Sequence, residues 1–424
     1  TATSILHPLR SVALYAVVLR RSQLYSSWRF HRFVLIQSRG PWRFTSMTLF
    51  ADSQHSDVDL AVIGAGLAGT GLAASLRQRG YDGTILLLEA GRGPGGRAAS
   101  RRRRDDLLWR LDHGAPCFSF SQPPQGRLAE LWNSLLEQGI VQSDRGLVVG
   151  LSETGCLVDP PDHPLLQGPR FRGVPTMASV PEALLQLAGS KTQGAFGERI
   201  SSLRRENGWW CLSGQLRARS LVVTGNLLAH PRSLAMLGWR DVPLRSAVPL
   251  NVDPSLDAAL EQIAEMRATV RWNLMLEFPR CADHLPRQIW LTSEAQEKFG
   301  IERIVLHRQQ DQRLGLVVHG LDDGSPITPA SQPGLLVEQE LRQRRALTEL
   351  LLPWPELAEA LPLARSLGVM RWGASQPLDY PLPTSLQWCE SSAVGFCGDW
   401  IDGPGFGMAE GALQSAVDLA AQLI

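Results

Sequence analysis

Val58-Asp-Leu-Ala-Val-Ile63 runs without a break into Gly64-Ala65-Gly66-Leu67-Ala68-Gly69, and this stretch decides the fold. A short, β-branched, mostly apolar run is the pattern of a strand buried on both faces of a parallel sheet. Leu67 to Arg79 then has helical composition and stops before Gly80, and Thr84 to Leu88 reads as a second buried strand. Strand, glycine-rich turn, helix and strand within about thirty residues make a βαβ unit.

The turn has the spacing G-x-G-x-x-G. Gly64 permits the tight turn, Gly66 lets the backbone approach a pyrophosphate, and Gly69 lets the helix pack on the strand. The phosphate then faces the helix N-terminus, where unpaired N–H groups and the helix dipole favour an anion. Glu89 ends the second strand, twenty residues after Gly69. That is the place for an acid that accepts hydrogen bonds from ribose hydroxyls. A glycine turn that merely packs has no need of the acid, so the combination predicts a dinucleotide site.

Working outward, the chain has 424 residues, 44% hydrophobic and 20% charged, which suits two domains or one large α/β domain with an insertion. The net charge of +1 gives no electrostatic case for nucleic acid or an anionic membrane as partner. Of 42 basic residues only Lys191 and Lys298 are lysines. The six cysteines (Cys117, Cys156, Cys211, Cys281, Cys389, Cys397) contain no C-x-x-C pair, hence no zinc signature or dithiol motif, and no metal site is expected. This usage suits a reducing compartment and a cytoplasmic location.

Residues 1 to about 50 differ from the rest: they hold seven arginines and no acid before Asp52. Their longest apolar run, Ser11 to Leu19, is too short to span a bilayer. An Arg-rich, acid-poor leader reads as an organelle transit peptide; a start placed too far upstream of Met47 explains it equally well. Either reading leaves residues 1–56 outside the fold and disordered.

Further along, Leu128 to Gln138 and Val180 to Leu187 read as helices, and Ile200 to Val223 alternates like a β meander. Val270 to Phe278, Ile304 to His307 and Leu314 to His319 are strand-like, and Pro333 to Leu351 is helical. Ala393 to Cys397 is a strand, Gly398-Asp399 a turn, and Met408 to Leu423 a final helix.

Two segments resolve which dinucleotide. Glu89-Ala90-Gly-Arg-Gly-Pro-Gly95-Gly96-Arg97 resembles the Glu-Ala-x-x-x-x-Gly-Gly-Arg segment of the flavin amine oxidase and renalase group. The resemblance implies glycines passing close to FAD with the arginine beside it, where a guanidinium neutralises phosphate or leans on a ring. Gly395-Phe-Cys-Gly398-Asp399-Trp400, then Gly403-Pro-Gly405-Phe-Gly407 and Glu410-Gly411-Ala412, resembles that group's Gly-Asp segment. It implies Asp399 as acceptor for the ribityl hydroxyls and a following helix whose N-terminus favours the charge of a reduced flavin. Three shorter matches point to renalase-like proteins: Asp112-His113-Gly114-Ala115, Gly173-Val-Pro175-Thr176-Met177, and Arg371-Trp372-Gly373-Ala374-Ser-Gln-Pro377. Thr176 and Gly373 depart from that pattern.

The expected fold is therefore α/β, a Rossmann-type FAD-binding domain of the two-domain glutathione reductase/hydroxylase kind with a second, mixed-sheet substrate domain. Residues 57–112, 192–245 and 390–424 would form the first, and 113–191 with 246–389 the second. The expected activity is that of an FAD-dependent oxidase. A renalase-like enzyme would oxidise a small substrate, an isomeric dihydronicotinamide, by hydride transfer to flavin N5 and reoxidise with oxygen. A flavin amine oxidase or desaturase is the alternative, and a flavin-binding protein without turnover is the reading from another class. Neither lysine lies near a flavin motif, which argues against a lysine-assisted amine oxidase. Candidate catalytic residues are His113, as a general base beside the ring, and Trp372, as pocket wall.

Overall fold

The computed structural model describes residues 56–424 except 107, 214–215, 233, 235–237, 281–283 and 325–326, together with 33–34 and 45–46. The expectation of a disordered leader therefore lies almost wholly outside the described residues. Within it, Phe33–Val34 and Thr45–Ser46 pair on one edge of the first sheet.

That sheet grows from the opening strand, Ser56–Ile63, which pairs in parallel with Leu216–Val223 on one side and Ile85–Glu89 on the other. Val394–Phe396 lies parallel outside Leu216–Val223, and Thr192–Phe196 outside Ile85–Glu89. The chain thus returns to the sheet centre from three distant segments. Period-two alternation sends successive residues to opposite faces. Leu60 and Val62, with Ile85, Leu87 and Val222, pack against the helices Leu67–Gln78 and Ala409–Gln422. Ala61, Leu88, Leu221 and Val223 pack on the other face, under Trp210 and Leu212 of the meander. Burial of each large aliphatic side chain contributes about 1.5–3 kcal/mol, so both faces must be covered.

On that second face the helix Pro254–Glu265 inserts Leu256, Leu260 and Ile263. The sequence places residues 246–266 in the substrate domain; packing places this helix against the nucleotide sheet. Likewise Ser179–Leu187 packs on the opposite face's first helix through a shared core with Leu413 and Val417. Amphipathic helices reveal that one face is buried, not against which sheet.

The second sheet runs Leu157–Val158, Val148–Leu151, Gln288–Leu291, Ile301–Arg308, Leu314–Leu321, Arg267–Phe278, Arg365–Asp379, antiparallel except where Val148–Leu151 meets Gln288–Leu291. One face is apolar (Leu274, Leu276, Ile304, Leu306, Leu316, Val318) and covered by the helix Gln332–Leu350. The other includes Asn273, Gln288, Arg303, His307 and His319, all buried. Buried polar residues alternating with aliphatic ones mark a face turned toward a site rather than toward water. No helix of the described residues is long and apolar enough to cross a membrane.

Candidate dinucleotide site

The turn after the first strand is shaped by its glycines. Gly64 has φ +108, and a Cβ there would stand 2.2 Å from Thr224 Oγ1. Gly96 has φ +55 and faces Gly66, whose Cα a Cβ on Gly96 would approach to 3.2 Å. Gly95 N–H donates to Ala65 O at 2.8 Å, so the two glycine segments run against each other. The helix begins at Leu67 with no acidic residue in its first turn, which leaves its N-terminus electrostatically open to an anion. Glu89 accepts from Ala65 N–H at 3.0 Å and Gly91 N–H at 2.7 Å. A carboxylate has about four acceptor positions, so capacity for ribose hydroxyls remains.

Arg97 ties three motif segments together. Its Nη1 and Nη2 each meet one oxygen of Asp399 at 2.5 Å, and Nη1 also donates to Ser375 O at 3.0 Å. Its carbonyl accepts from Ala115 N–H at 2.8 Å. Burial opposes charge on this guanidinium, but Asp399 outweighs it and raises the pKa.

These pieces surround a cavity of about 700 Å³. Of the residues expected to hold the cofactor, Gly64, Gly66, Leu67, Ala68, Glu89 and Ala90 line it at the nucleotide turn. Gly95, Gly96, Arg97, Gly114 and Ala115 line it too, and Gly398, Asp399, Gly407 and Ala412 come from the chain's last segment. Trp372 lines it as well.

Six expected contacts sit behind the lining instead. Ala65 is fully buried, and Gly69 packs on the turn, where a Cβ would stand 2.0 Å from Gly64 O. Asp112 accepts from Ser100 Oγ at 2.5 Å and Met177 N–H at 3.1 Å; burial raises its pKa against these bonds. Glu410 accepts from Ser121 N–H at 2.7 Å and Oγ at 2.8 Å, so its carboxylate anchors a loop, and Gly411 lies tight against Gly405 O. His113 stacks on Trp372, ring centroids 5.5 Å apart. Its carbonyl accepts from Asn273 Nδ2 at 2.9 Å and more distantly, at 3.4 Å, from Trp372 Nε1. Its ring does not line the cavity, its Nδ1 is buried without a partner, and burial aided by Arg101 lowers its pKa to about 4.

Thr224 also belongs to the site: its Oγ1 donates to Ile63 O at 2.9 Å and its carbonyl accepts from Trp400 Nε1 at 3.2 Å. The Thr-Gly ending the meander was the available signal. The second sheet supplies Arg271, Asn273, Gln288, Trp290, Arg303 and His319, which only strand register brings to the cavity. Lys191 pairs with Asp82 and Lys298 with Glu349, both at the surface, and no lysine lines the cavity. Cys117 lines it; Cys281 lies outside the described residues. Among the described residues no cluster of three or more His, Cys, Asp or Glu could hold a metal ion.

The fold and cradle are those of a dinucleotide-binding α/β protein of the Rossmann kind. Residues 62–135 match the family model for the NAD(P)-binding Rossmann-like domain. No curated protein matches the sequence. Among solved structures, cyclohexylamine oxidase from Brevibacterium oxydans IH-35A is similar over 87% of this chain and 99% of its own, at 14% identity and TM-score 0.58. Putrescine oxidase bound to putrescine is similar over 87% and 99%, at 13% identity and TM-score 0.54. An oxidoreductase from Methanosarcina mazei is similar over 85% and 99%, at 12% identity and TM-score 0.54. At such identities the likeness establishes a shared fold.

Proposed function

We propose that the chain is an FAD-dependent oxidoreductase acting on a small donor molecule. One observation supports this above the others: the Gly64–Gly69 turn and Asp399, from opposite ends of the described chain, border one cavity and are bridged by Arg97. A site for a nucleotide alone needs the turn and Glu89. Only a longer cofactor, with a sugar-alcohol chain and a ring beyond its diphosphate, requires the Arg97–Asp399 pair as well.

The residues fit FAD. The backbone from Gly64 to Ala68 and the helix N-terminus bind the diphosphate, and Glu89 orients the adenosine ribose. Asp399, held in place by Arg97, accepts hydrogen bonds from the ribityl chain. Gly114, Ala115 and Trp372 wall the far end, with His113 supporting Trp372 from behind. When bound, FAD supplies a ring that accepts a hydride. The chain's own task is to hold donor and ring in contact and keep water out.

Within this reading the renalase-like reaction, oxidation of an isomeric dihydronicotinamide with oxygen as final acceptor, is favoured by the motif resemblances and by the lack of a lysine at the cavity. The amine oxidase reading draws on the names of two structural neighbours, cyclohexylamine and putrescine oxidases. Purified protein should be yellow and release FAD on denaturation. Mixed anaerobically with isomeric dihydronicotinamides, its flavin absorbance should bleach. Bleaching by amines alone would select the second reading, and bleaching by no donor would leave a binding protein without turnover.

A further inference from the structure

The wall that the second sheet presents to the cavity is charged and incompletely satisfied. Strand register sets Trp290 opposite Arg303, Arg303 opposite His319, and His319 opposite Asn273. Directly opposed residues share a face, so the four form one transverse row, and all four line the cavity. Arg303 keeps 7% of its surface exposed, His319 3% and Asn273 1%. The Arg303 guanidinium lies over the Trp290 ring, 4.6 Å from its centroid.

A single carboxylate serves two arginines here. Arg271 Nη2 donates to Glu302 Oε1 at 2.5 Å. Arg303 Nη1 lies 3.1 Å from Glu302 Oε2 but lacks the alignment of a hydrogen bond, and Nε and Nη1 of Arg303 have no hydrogen-bond partner. Asn273 Oδ1 is also buried without one. Buried polar groups in folded proteins are almost always partnered, and a buried guanidinium with free donors is costly. An acceptor at this wall would answer the Arg303 donors; the Asn273 oxygen, itself an acceptor, is not answered by it.

The sign of that ligand follows from a charge count. Arg271 is positive and Glu302 negative. Burial lowers the Arg303 pKa and Glu302 opposes that shift, and a guanidinium starts so high that Arg303 keeps its charge. His319 is neutral, because burial and then the two arginines push its pKa well below the usual imidazole value. Burial would raise the Glu302 carboxyl, but Arg303 and Arg271 outweigh it, so the acid stays ionised. The wall therefore holds one uncompensated positive charge in a poorly hydrated place, which repels an ammonium group. A carboxylate brings one negative charge and accepts from a guanidinium in plane. Arg303 Nε and Nη1 lie on different edges of the group, so a carboxylate engages one of them together with Nη2 rather than both.

We infer that the substrate carries a single carboxylate seated on Arg303, and that the site excludes cationic amines; this rests on the flavin reading above. It names a substrate class, a monoanionic carboxylate donor, which differs from the phosphate-bearing dihydronicotinamide of the renalase-like reaction as well as from the amines in the names of the structural neighbours. Rapid bleaching by isomeric dihydronicotinamides would therefore count against it.

The test uses the yellow holoprotein and three small probes of similar shape: benzoate, phenyl phosphate and benzylamine. Each is titrated while flavin absorbance is followed. Benzoate should perturb the spectrum saturably, with phenyl phosphate and benzylamine weaker by about tenfold or more. Arg303→Gln, with flavin retained, should weaken benzoate by about tenfold to a hundredfold, the range for a charge-assisted pair, and Arg303→Lys should fall between. Benzylamine or phenyl phosphate binding as tightly as benzoate, no saturable response to benzoate, or an unchanged affinity in Arg303→Gln would each overturn the inference. If Arg303→Gln does not fold, the order of the three probes on the unaltered protein decides. A preparation that takes up no FAD is a different failure: it removes the flavin reading itself and this inference with it.

Discussion

Arg97 and Asp399 stand 302 residues apart in the chain and meet in the wall of the cavity as a bidentate pair, both contacts 2.5 Å. Asp399 is buried, with its side chain 4% exposed, whereas Arg97 keeps 38% of its side-chain surface. The pair therefore has one dry member and one partly wet one. Asp399→Asn should keep the fold but lower FAD affinity about tenfold or more, because the amide loses the charge that both Arg97 and the ribityl hydroxyls address. Reconstitution of stripped protein with FAD, followed by flavin fluorescence quenching, measures this. Asp399→Ala should in addition cost about 1–2 kcal/mol, less than a fully buried broken pair because water reaches Arg97. Denaturant unfolding checks that figure.

Gly66 and Gly69 belong to one fingerprint but should fail differently. Gly66 has φ −80 and ψ −166, open to any residue, and a Cβ there meets nothing nearer than 3.6 Å. Gly66→Ala should therefore fold with near-normal stability and lose FAD, since the methyl group occupies the space the diphosphate needs. At Gly69 the Cβ would stand 2.0 Å from Gly64 O, a backbone atom that cannot step aside cheaply. Gly69→Ala should cost about 3 kcal/mol or more through overpacking. Thermal unfolding and flavin content of the two variants, measured side by side, separate the effects. Equal loss of stability in both would contradict the assignment of Gly66 to the ligand.

What the sequence made legible was local. The βαβ unit could be read from Val58 to Glu89 because a glycine turn, a helix period and two buried strands are properties of neighbouring residues. The Asp399 turn was legible as a motif for the same reason. Its partnership with Arg97 was not, since pairing across the sheet is decided by where two distant loops land. Glu410 shows the limit from the other side: it sits in the right motif yet turns to Ser121. Asp112 likewise spends its carboxylate on Ser100 and Met177. The row from Trp290 to Asn273 was hidden because each strand read alone only alternates. Which alternate set faces the cavity depends on a register that a one-residue slip would invert.

Both lysines should prove dispensable for chemistry. Lys191 Nζ pairs with Asp82 at 2.6 Å and Lys298 Nζ with Glu349 at 3.1 Å, both at the surface. Exposed pairs of this kind contribute about 0–1 kcal/mol. The double variant Lys191→Met with Lys298→Met should reduce its flavin with any effective donor at the rate of the unaltered protein, within about twofold. Stopped-flow bleaching under anaerobic conditions reads that rate. A tenfold loss would mean a lysine reaches the flavin in solution, and would revive the lysine-assisted amine oxidase.

Acid should destabilise the fold through its buried imidazoles. His113 titrates at about 4 in the folded chain, chiefly because burial disfavours its charged form, with Arg101 adding to the effect. His307 and His319 are pushed well below the usual value by burial and neighbouring arginines. In the unfolded chain each takes a proton near pH 6.5. Between about pH 6.5 and 4 the unfolded state thus binds more protons than the native one, so stability is present at neutral pH and falls as pH drops through that window. For His113 alone the full loss is up to about 3 kcal/mol. Asp112, whose carboxyl is raised by burial, acts in the opposite sense. Asp418 is raised by burial as well. Both carboxyls titrate from a lower starting value and oppose five lowered imidazoles, His163 and His230 among them, so the net slope should keep the sign set by histidine. Melting temperature measured from pH 7.5 to 4.5 should fall steadily, and His113→Gln should flatten the curve, narrowing its gap to the unaltered protein toward the acid end. A melting temperature that rises on acidification would mean that these rings are charged in the native protein, and with them that the cavity wall behind Trp372 is wet.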